Sequence, residues 1–422
     1  ARGAFRRHFA IHGARLSLPL DPLYAAYAEL AGITVPSAKE SVRQLLEGEE
    51  TSTTRLIDDL YALACIAREN PAVAALVAQP PTDVATQIAV IPEAAPFRRR
   101  LEAFLSAYGD RTGVGYGSDG TICVPTWREE PALVLRIVAP YLDPSIQAPA
   151  IARARAKAER DAAIERLCDA SDDAEAVSRF RRHLAFARRA ATVMEEHNHY
   201  IDQLMNGQLR QAILAAARWL VRCDVLTEAE DVFWLHYDEL LSALRAGSDC
   251  TTPAEVVAHF PAESATAPET SGGLHDVISA RKARHAEWEK LIPPPLLGIP
   301  AAVLPRRGPL QDEVTPVVAE GNNRLHGLGA SPGRGRGRAR IVASSWRMPN
   351  LRPGDVLVAE NAGPRWTPLI PMLSGLVLDG GAVGQHHAIT AREYGVAAVV
   401  GTRNATRCIP DGAWVVVDGT AG

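Results

Sequence analysis

The run Asp379-Gly380-Gly381-Ala382-Val383-Gly384-Gln385-His386-His387-Ala388-Ile389-Thr390-Ala391-Arg392-Glu393-Tyr394-Gly395 sets two histidines behind a glycine-rich turn, where a helical pattern begins. Glycines let backbone N–H groups approach an anion, and a helix start brings the positive end of its dipole to the same point. A neutral imidazole there is suited to be nucleophile and carrier of a phosphoryl group. The helix N-terminus disfavours ring protonation and so keeps a nitrogen lone pair available near neutral pH. Two adjacent histidines also suit a plain polar helix cap. A zinc site fits less well, because neighbouring residues on a helix project about 100° apart and no third ligand has suitable local spacing.

A second group with chemical potential is Glu195-Glu196-His197-Asn198-His199-Tyr200-Ile201-Asp202-Gln203, a polar stretch that soon becomes apolar at Ile213-Leu214-Ala215. Helical spacing puts Glu195, His199 and Asp202 on one face, with Glu196 and Gln203 alongside. A carboxylate and an imidazole on one face suit deprotonating or orienting a hydroxyl. We expect Glu196 and His199 to serve that chemistry, and His197, Tyr200 and Gln203 to contact the acceptor. A solvated helix face would have the same pattern.

These groups need elements to hold them. Helical periodicity dominates the first three quarters of the chain, with amphipathic stretches at 56–67, 131–142, 152–167 and 176–221. The glycine-rich interruption between Tyr108 and Trp127 reads as a long loop, and 246–273 as a surface excursion. Nearer the C-terminus, short apolar strands at Gly337–Val342, Val356–Ala359, Ala397–Gly401 and Trp414–Asp418 are separated by turns. The fold class is therefore multidomain α and α/β. We expect a mostly helical domain over 1–300, a linker over 301–326 stiffened upstream by Pro293-Pro294-Pro295, and a small domain over 327–422.

At the histidine run the chain resembles the phosphohistidine swivelling domain of the PEP-utilising enzyme family. That signature has two glycines, a short spacer, Ser or Thr, the catalytic His, then Ala-Ile-x-Ala-Arg-Glu-x-Gly. Counting back from Ala391-Arg392-Glu393 puts the family's carrier at His386, with His387 in a position usually held by a small residue. Gly381-Ala382 then stands for the double glycine and Gln385 for the usual Ser or Thr. The resemblance implies that Gly381, Thr367, Gln385, His387 and Arg392 surround the phosphate, Thr367 through the Trp366-Thr367-Pro368 motif. It extends more softly to Leu45-Leu46-Glu47-Gly48, Tyr108-Gly109-Asp110-Arg111, Trp127-Arg128-Glu129-Glu130-Pro131 and Glu230-Asp231-Val232-Phe233-Trp234-Leu235. These look like the acceptor-binding region of antibiotic- and phenol-phosphorylating members, which more often have His where Asp110 stands.

What the resemblance implies is a relay. ATP with Mg2+ is cleaved on an ATP-grasp module, the carrier histidine takes the β-phosphoryl group, and the swivelling domain delivers it to an acceptor hydroxyl. AMP, phosphate and a phosphorylated acceptor result. The sequence contains no ATP-grasp pattern ahead of the helical region and no PEP-binding barrel after Gly422, so the nucleotide-binding partner is expected on a separate polypeptide. The expected acceptor is a phenol or other small aromatic alcohol. Two other readings stand beside this one: a ligase-like enzyme that uses the acceptor phosphate for a condensation, and a swivelling-domain scaffold without catalysis.

Composition narrows the classes. A net charge of −4 and a pI near 6.3 offer no basic footprint for nucleic acid. No segment reaches the roughly 18 consecutive apolar residues of a membrane span. The six cysteines are scattered without a CxxC pair and read as reduced thiols of a cytoplasmic protein. The first residue is not Met and no signal-peptide pattern follows it, so the start is read as trimmed or processed.

Overall fold

The computed structural model describes residues 20–79, 83–111, 121–247, 274–288, 324–342, 351–362 and 366–422. Most of the expected excursion over 246–273, nearly all of the linker at 301–326 and the glycines at 113–120 lie outside them, while Ala246 and Gly247 end a helix. The chain forms two compact units. The first joins residues 1–118 and 125–204 to 316–422, and the second comprises 119–124 and 205–315. Compactness thus follows contacts rather than chain order, and the helical region expected over 1–300 is shared between the units.

In the first unit, helices α1 (20–31), α2 (Val35–Gln44), α3 (Ser52–Arg68), α4 (Pro71–Ala78), α5 (Val84–Ala89), α6 (Ala95–Tyr108), α7 (Pro131–Val138), α8 (Pro149–Asp169) and α9 (Ala174–His197) precede the sheet. Helix α3 is central. Thr51 starts it with a capping box, its hydroxyl accepting from Thr54 N–H at 3.3 Å while Thr54 Oγ1 accepts from Thr51 N–H at 2.9 Å. Leu56, Ile57, Leu60, Leu63, Ala64 and Ala67 then form a buried stripe at helical spacing. The stretch expected as one helix over 131–142 tightens into a 3-10 turn at Ala139–Leu142, where Pro140 removes a donor. After α9 the backbone takes a π-helical path at Asn198–Leu204, so the spacing used to group Glu195 with later residues does not continue past His197.

The sheet contains β1 (Leu328–Ser331), β2 (Arg334–Val342), β3 (Val356–Ala359), β4 (Gly375–Leu378), β5 (Ala397–Val400) and β6 (Trp414–Asp418), in the order β1-β5-β4-β3-β2-β6. Strands β2, β3, β4 and β5 pair in parallel, while β1 and β6 run antiparallel to β5 and β2. The fully buried β3, β4 and β5 are uninterrupted apolar runs, as parallel strands covered on both faces require. From the end of β4 the chain passes through the glycine turn into α13 (His386–Glu393), numbered after α10, α11 and α12 of the second unit. One apolar core runs from α3, α6 and α7 to Trp366, Leu369, Ala388 and Ala391, and the Tyr141 hydroxyl donates to the Pro368 carbonyl. A helical region followed by a small β domain is therefore the observed architecture.

The second unit packs α10 (Met205–Arg222), α11 (Tyr237–Gly247) and α12 (Leu274–Trp288) around Leu214, Leu220, Val232 and Ile278. A buried bidentate pair holds it, with Arg281 on both oxygens of Glu239 at 2.6 and 2.7 Å. The five described cysteines are free thiols. Among the described residues no helix is long and apolar enough to cross a membrane.

Candidate phosphoryl-carrier site

His386 is the first residue of α13, and Gln385 precedes it as an extended N-cap whose side chain makes no capping bond. The turn ahead requires Gly381, which has φ +103, a conformation side chains rarely adopt. A Cβ there would also stand 3.0 Å from His387 Nε2 and 3.2 Å from Gln385 Oε1. Beyond the helix, Gly395 at φ +68 ends it in the left-handed conformation.

The His386 ring is almost enclosed, and its Nδ1 lies 2.6 Å from Glu195 Oε2. An ionised carboxylate only accepts hydrogen bonds, so Nδ1 carries the proton and donates it. In the neutral ring Nε2 then holds the lone pair, and Nε2 is buried with no partner among the described residues. The helix backbone steadies the same residue, since Thr390 Oγ1 donates to the His386 carbonyl at 3.0 Å. The arrangement can hold a proton on one ring nitrogen while the other attacks or releases a phosphoryl group.

His387 is placed differently. It is buried, hydrogen-bonded to the backbone of Ala362, and its pKa is pushed down to about 4, chiefly by burial and then by the neighbouring His386. It is therefore a neutral packing ring beside Gly381. Helix α13 also packs on β1 and on the 3-10 turn Thr367–Met372. Those elements supply more buried polar atoms without partners among the described residues: Ser331 Oγ, Trp366 Nε1 and Thr367 Oγ1. Buried donors without partners on elements that pack against this helix are a feature that a bound anion could satisfy.

Other expected positions take other tasks. Arg392 points away from free solvent and donates to Glu47, to the Ala330 carbonyl at 2.7 Å and to the Val383 carbonyl at 2.9 Å. In this arrangement it braces the glycine turn. Glu196, expected as a catalytic group, caps α3: it accepts from Ser52 N–H at 2.7 Å and Ser52 Oγ at 2.5 Å, with Arg55 at 3.4 Å. The π-helical register sends His199 into the interior, where burial and then Arg111 lower its pKa to about 4. Gln203 is buried and accepts from Arg111 Nε, whereas Tyr200 is mostly exposed and His197 half-buried at the end of α9.

The sequence reading placed Glu195 on the polar face but did not pair it with His386, which lies 191 residues away. No local pattern encodes such a pairing. It also passed over Glu393, a fully buried carboxyl whose pKa is raised well above 4.5 by burial and then by Glu195 and Glu47. Asp58 was missed as well; it pairs at 2.6 Å with Arg153, which reaches the Tyr394 hydroxyl at 3.5 Å.

Comparison with known proteins follows this geometry. Residues 351–422 match the PEP-utilising enzyme mobile domain and residues 22–195 match the rifampicin phosphotransferase fourth domain. His386 falls in the first match, and Glu195 is the last residue of the second. Chondramide synthase cmdD of Chondromyces crocatus is 29% identical over 397 residues, 90% of this chain and 9% of that protein. The uncharacterized phosphotransferase YvkC of Bacillus subtilis is 25% identical over 435 residues, 99% of this chain and 47% of that one. A rifampicin phosphotransferase of a Streptomyces species is 31% identical over 383 residues, 89% of this chain and 40% of that one. The chain spans less than half the length of each of these relatives.

Proposed function

From a chain that carries a PEP-utilising enzyme mobile domain together with a helical region of the rifampicin phosphotransferase type, we propose the phosphohistidine-carrying and acceptor-binding part of an ATP-dependent phosphotransferase. The observation that carries this reading is the ring of His386, whose Nδ1 is held by Glu195 at 2.6 Å and whose Nε2 is buried and unpartnered among the described residues. In this reading the carrier is docked against the helical region, as delivery to an acceptor requires.

Two transfers make up the cycle. In the first, His386 Nε2 attacks the β-phosphorus of ATP, held with Mg2+ by an ATP-grasp component. The bond to the α-phosphate oxygen breaks and AMP leaves with its electrons, and water then releases the γ-phosphate as inorganic phosphate. In the second, an acceptor oxygen attacks the phosphorus, the N–P bond breaks and its electron pair returns to Nε2. Glu195 matters here because a proton kept on Nδ1 makes the departing group a neutral imidazole rather than an imidazolate. The acceptor proton passes to a nearby base, for which His199 is placed on the same helical region and stays neutral at physiological pH. Separation of the two half-reactions lets one residue serve two sites.

The acceptor we propose is a phenol or other small aromatic alcohol. The similarity of residues 22–195 to a domain of rifampicin phosphotransferase supports a hydrophobic hydroxyl compound. The test is acid-labile phosphate on the chain after incubation with Mg-ATP, with and without an ATP-grasp protein from the same source, located by peptide mapping. Label at His386 that is discharged by a phenol supports the reading. Absence of label under both conditions would overturn it, and a condensed product without free phosphorylated acceptor would favour the ligase-like chemistry.

A further inference from the structure

The segment Tyr108-Gly109-Asp110-Arg111 plays no part in the cycle above, yet it ends in a buried cation. Arg111 is 2% exposed. Its Nε donates to the neutral Gln203 side chain, and its guanidinium lies 5.6 Å over the Trp127 ring. Its NH1 is buried without a partner, and no carboxylate pairs with Arg111, both among the described residues. The carboxylates close by are otherwise engaged: Asp110 with Arg128 at 2.6 Å, Asp59 with Arg100 and the Tyr108 hydroxyl, and Glu196 with Ser52.

His199 shares this corner. Gln203, which holds Arg111, follows it on the π-helical segment, and its ring lies 6.2 Å from that of Tyr108. It is buried, and its Nδ1 has no partner among the described residues. A guanidinium buried without a counter-charge is strongly unfavourable, and burial lowers its pKa to about 10. An arriving oxyanion would supply the missing charge and meet NH1 with a charge-assisted hydrogen bond.

We propose that Arg111 and His199 form an oxyanion-binding subsite in the helical region. The oxyanion is either a carboxylate carried by the acceptor or the phosphoryl group of the phosphorylated product. Assigning the subsite to the acceptor rests on the phosphotransferase reading, whereas anion binding does not.

The experiment titrates the chain with 4-hydroxybenzoate, phenyl phosphate and phenol, following heat of binding and thermal unfolding. The expected result is saturable binding of at least one anion, weakened at least tenfold by Arg111→Met and unchanged by Arg334→Met on the exposed edge of the sheet, with phenol binding more weakly. Preference for 4-hydroxybenzoate identifies an acceptor carboxylate, and preference for phenyl phosphate identifies the phosphoryl group. Without ligand, Arg111→Met should melt no lower than the native chain, since an uncompensated charge has been removed. Lack of anion binding to the native chain, equal binding by Arg111→Met, or a lower melting point or misfolding of that variant would overturn the subsite. Labelling of His386 is read separately, so the subsite can fail while the phosphotransferase reading stands.

Discussion

Glu195 Oε2 meets His386 Nδ1 at 2.6 Å, joining the end of α9 to the start of α13 across 191 residues. The contact fixes which ring nitrogen is protonated and which is free. In the proposed relay this contact belongs to the docked carrier, so its consequences should appear in delivery to the acceptor rather than in charging.

Glu195→Gln should slow discharge of phosphohistidine to a phenol roughly 10- to 100-fold, by analogy with loss of a group that orients a metal-binding histidine. Charging of His386 by ATP and the ATP-grasp component should be unaffected. Single-turnover measurement of the two half-reactions separates these effects, and equal slowing of both would show that Glu195 acts on the fold.

Replacement of the two histidines should give unequal results. His386→Ala removes the attacking nitrogen, and acid-labile phosphate on the chain should drop to background. His387→Ala opens space beside Gly381 and should reduce the label without abolishing it. The reverse pattern, read by mass and peptide mapping, would move the carrier by one residue.

Glu196→Ala should act through stability. Loss of the carboxylate that caps α3 at Ser52 should cost about 0.5–2 kcal/mol in denaturant unfolding. Phosphoryl transfer measured well below the melting temperature should change little, in contrast to Glu195→Gln. A large loss of delivery at full stability would restore Glu196 to the chemistry for which its sequence position suggested it.

Glu393→Gln tests the buried carboxyl beside Tyr394. Burial raises its folded pKa well above 4.5, so between the two values the folded chain binds the proton that the unfolded chain has released. Its contribution to stability is then full below about 4.5 and is lost as pH rises through the folded pKa. Glutamine imitates the protonated form, and the variant should melt higher than the native chain at pH 8, the difference vanishing on acidification. Thermal unfolding of both chains from pH 4 to 8 provides the measurement. A difference independent of pH would show that packing, not protonation, is involved.

The glycine turn and the helix start at His386 were legible because their requirements are local. Gly381 at positive φ, a helix beginning at His386 and Gly395 ending it are properties of a short stretch of backbone. The same holds for β3 and β5, whose unbroken apolar runs reflect burial on both faces, whereas β4 was not expected. The buried stripe of α3 likewise follows directly from the order of its side chains.

The long-range choices were made by tertiary structure. Two adjacent glutamates, Glu195 and Glu196, are chemically equivalent in sequence, but their side chains leave the helix in different directions. One meets His386 and the other caps α3. The π-helical turn at Asn198–Leu204 then altered the face on which His199 lies and brought Gln203 to Arg111. Sequence alone thus determined that a histidine sits behind a glycine turn at a helix start, since those needs are met within a few residues. Only the folded chain decided which carboxylate orients it and where an unpaired cation is buried, because those depend on packing between distant elements.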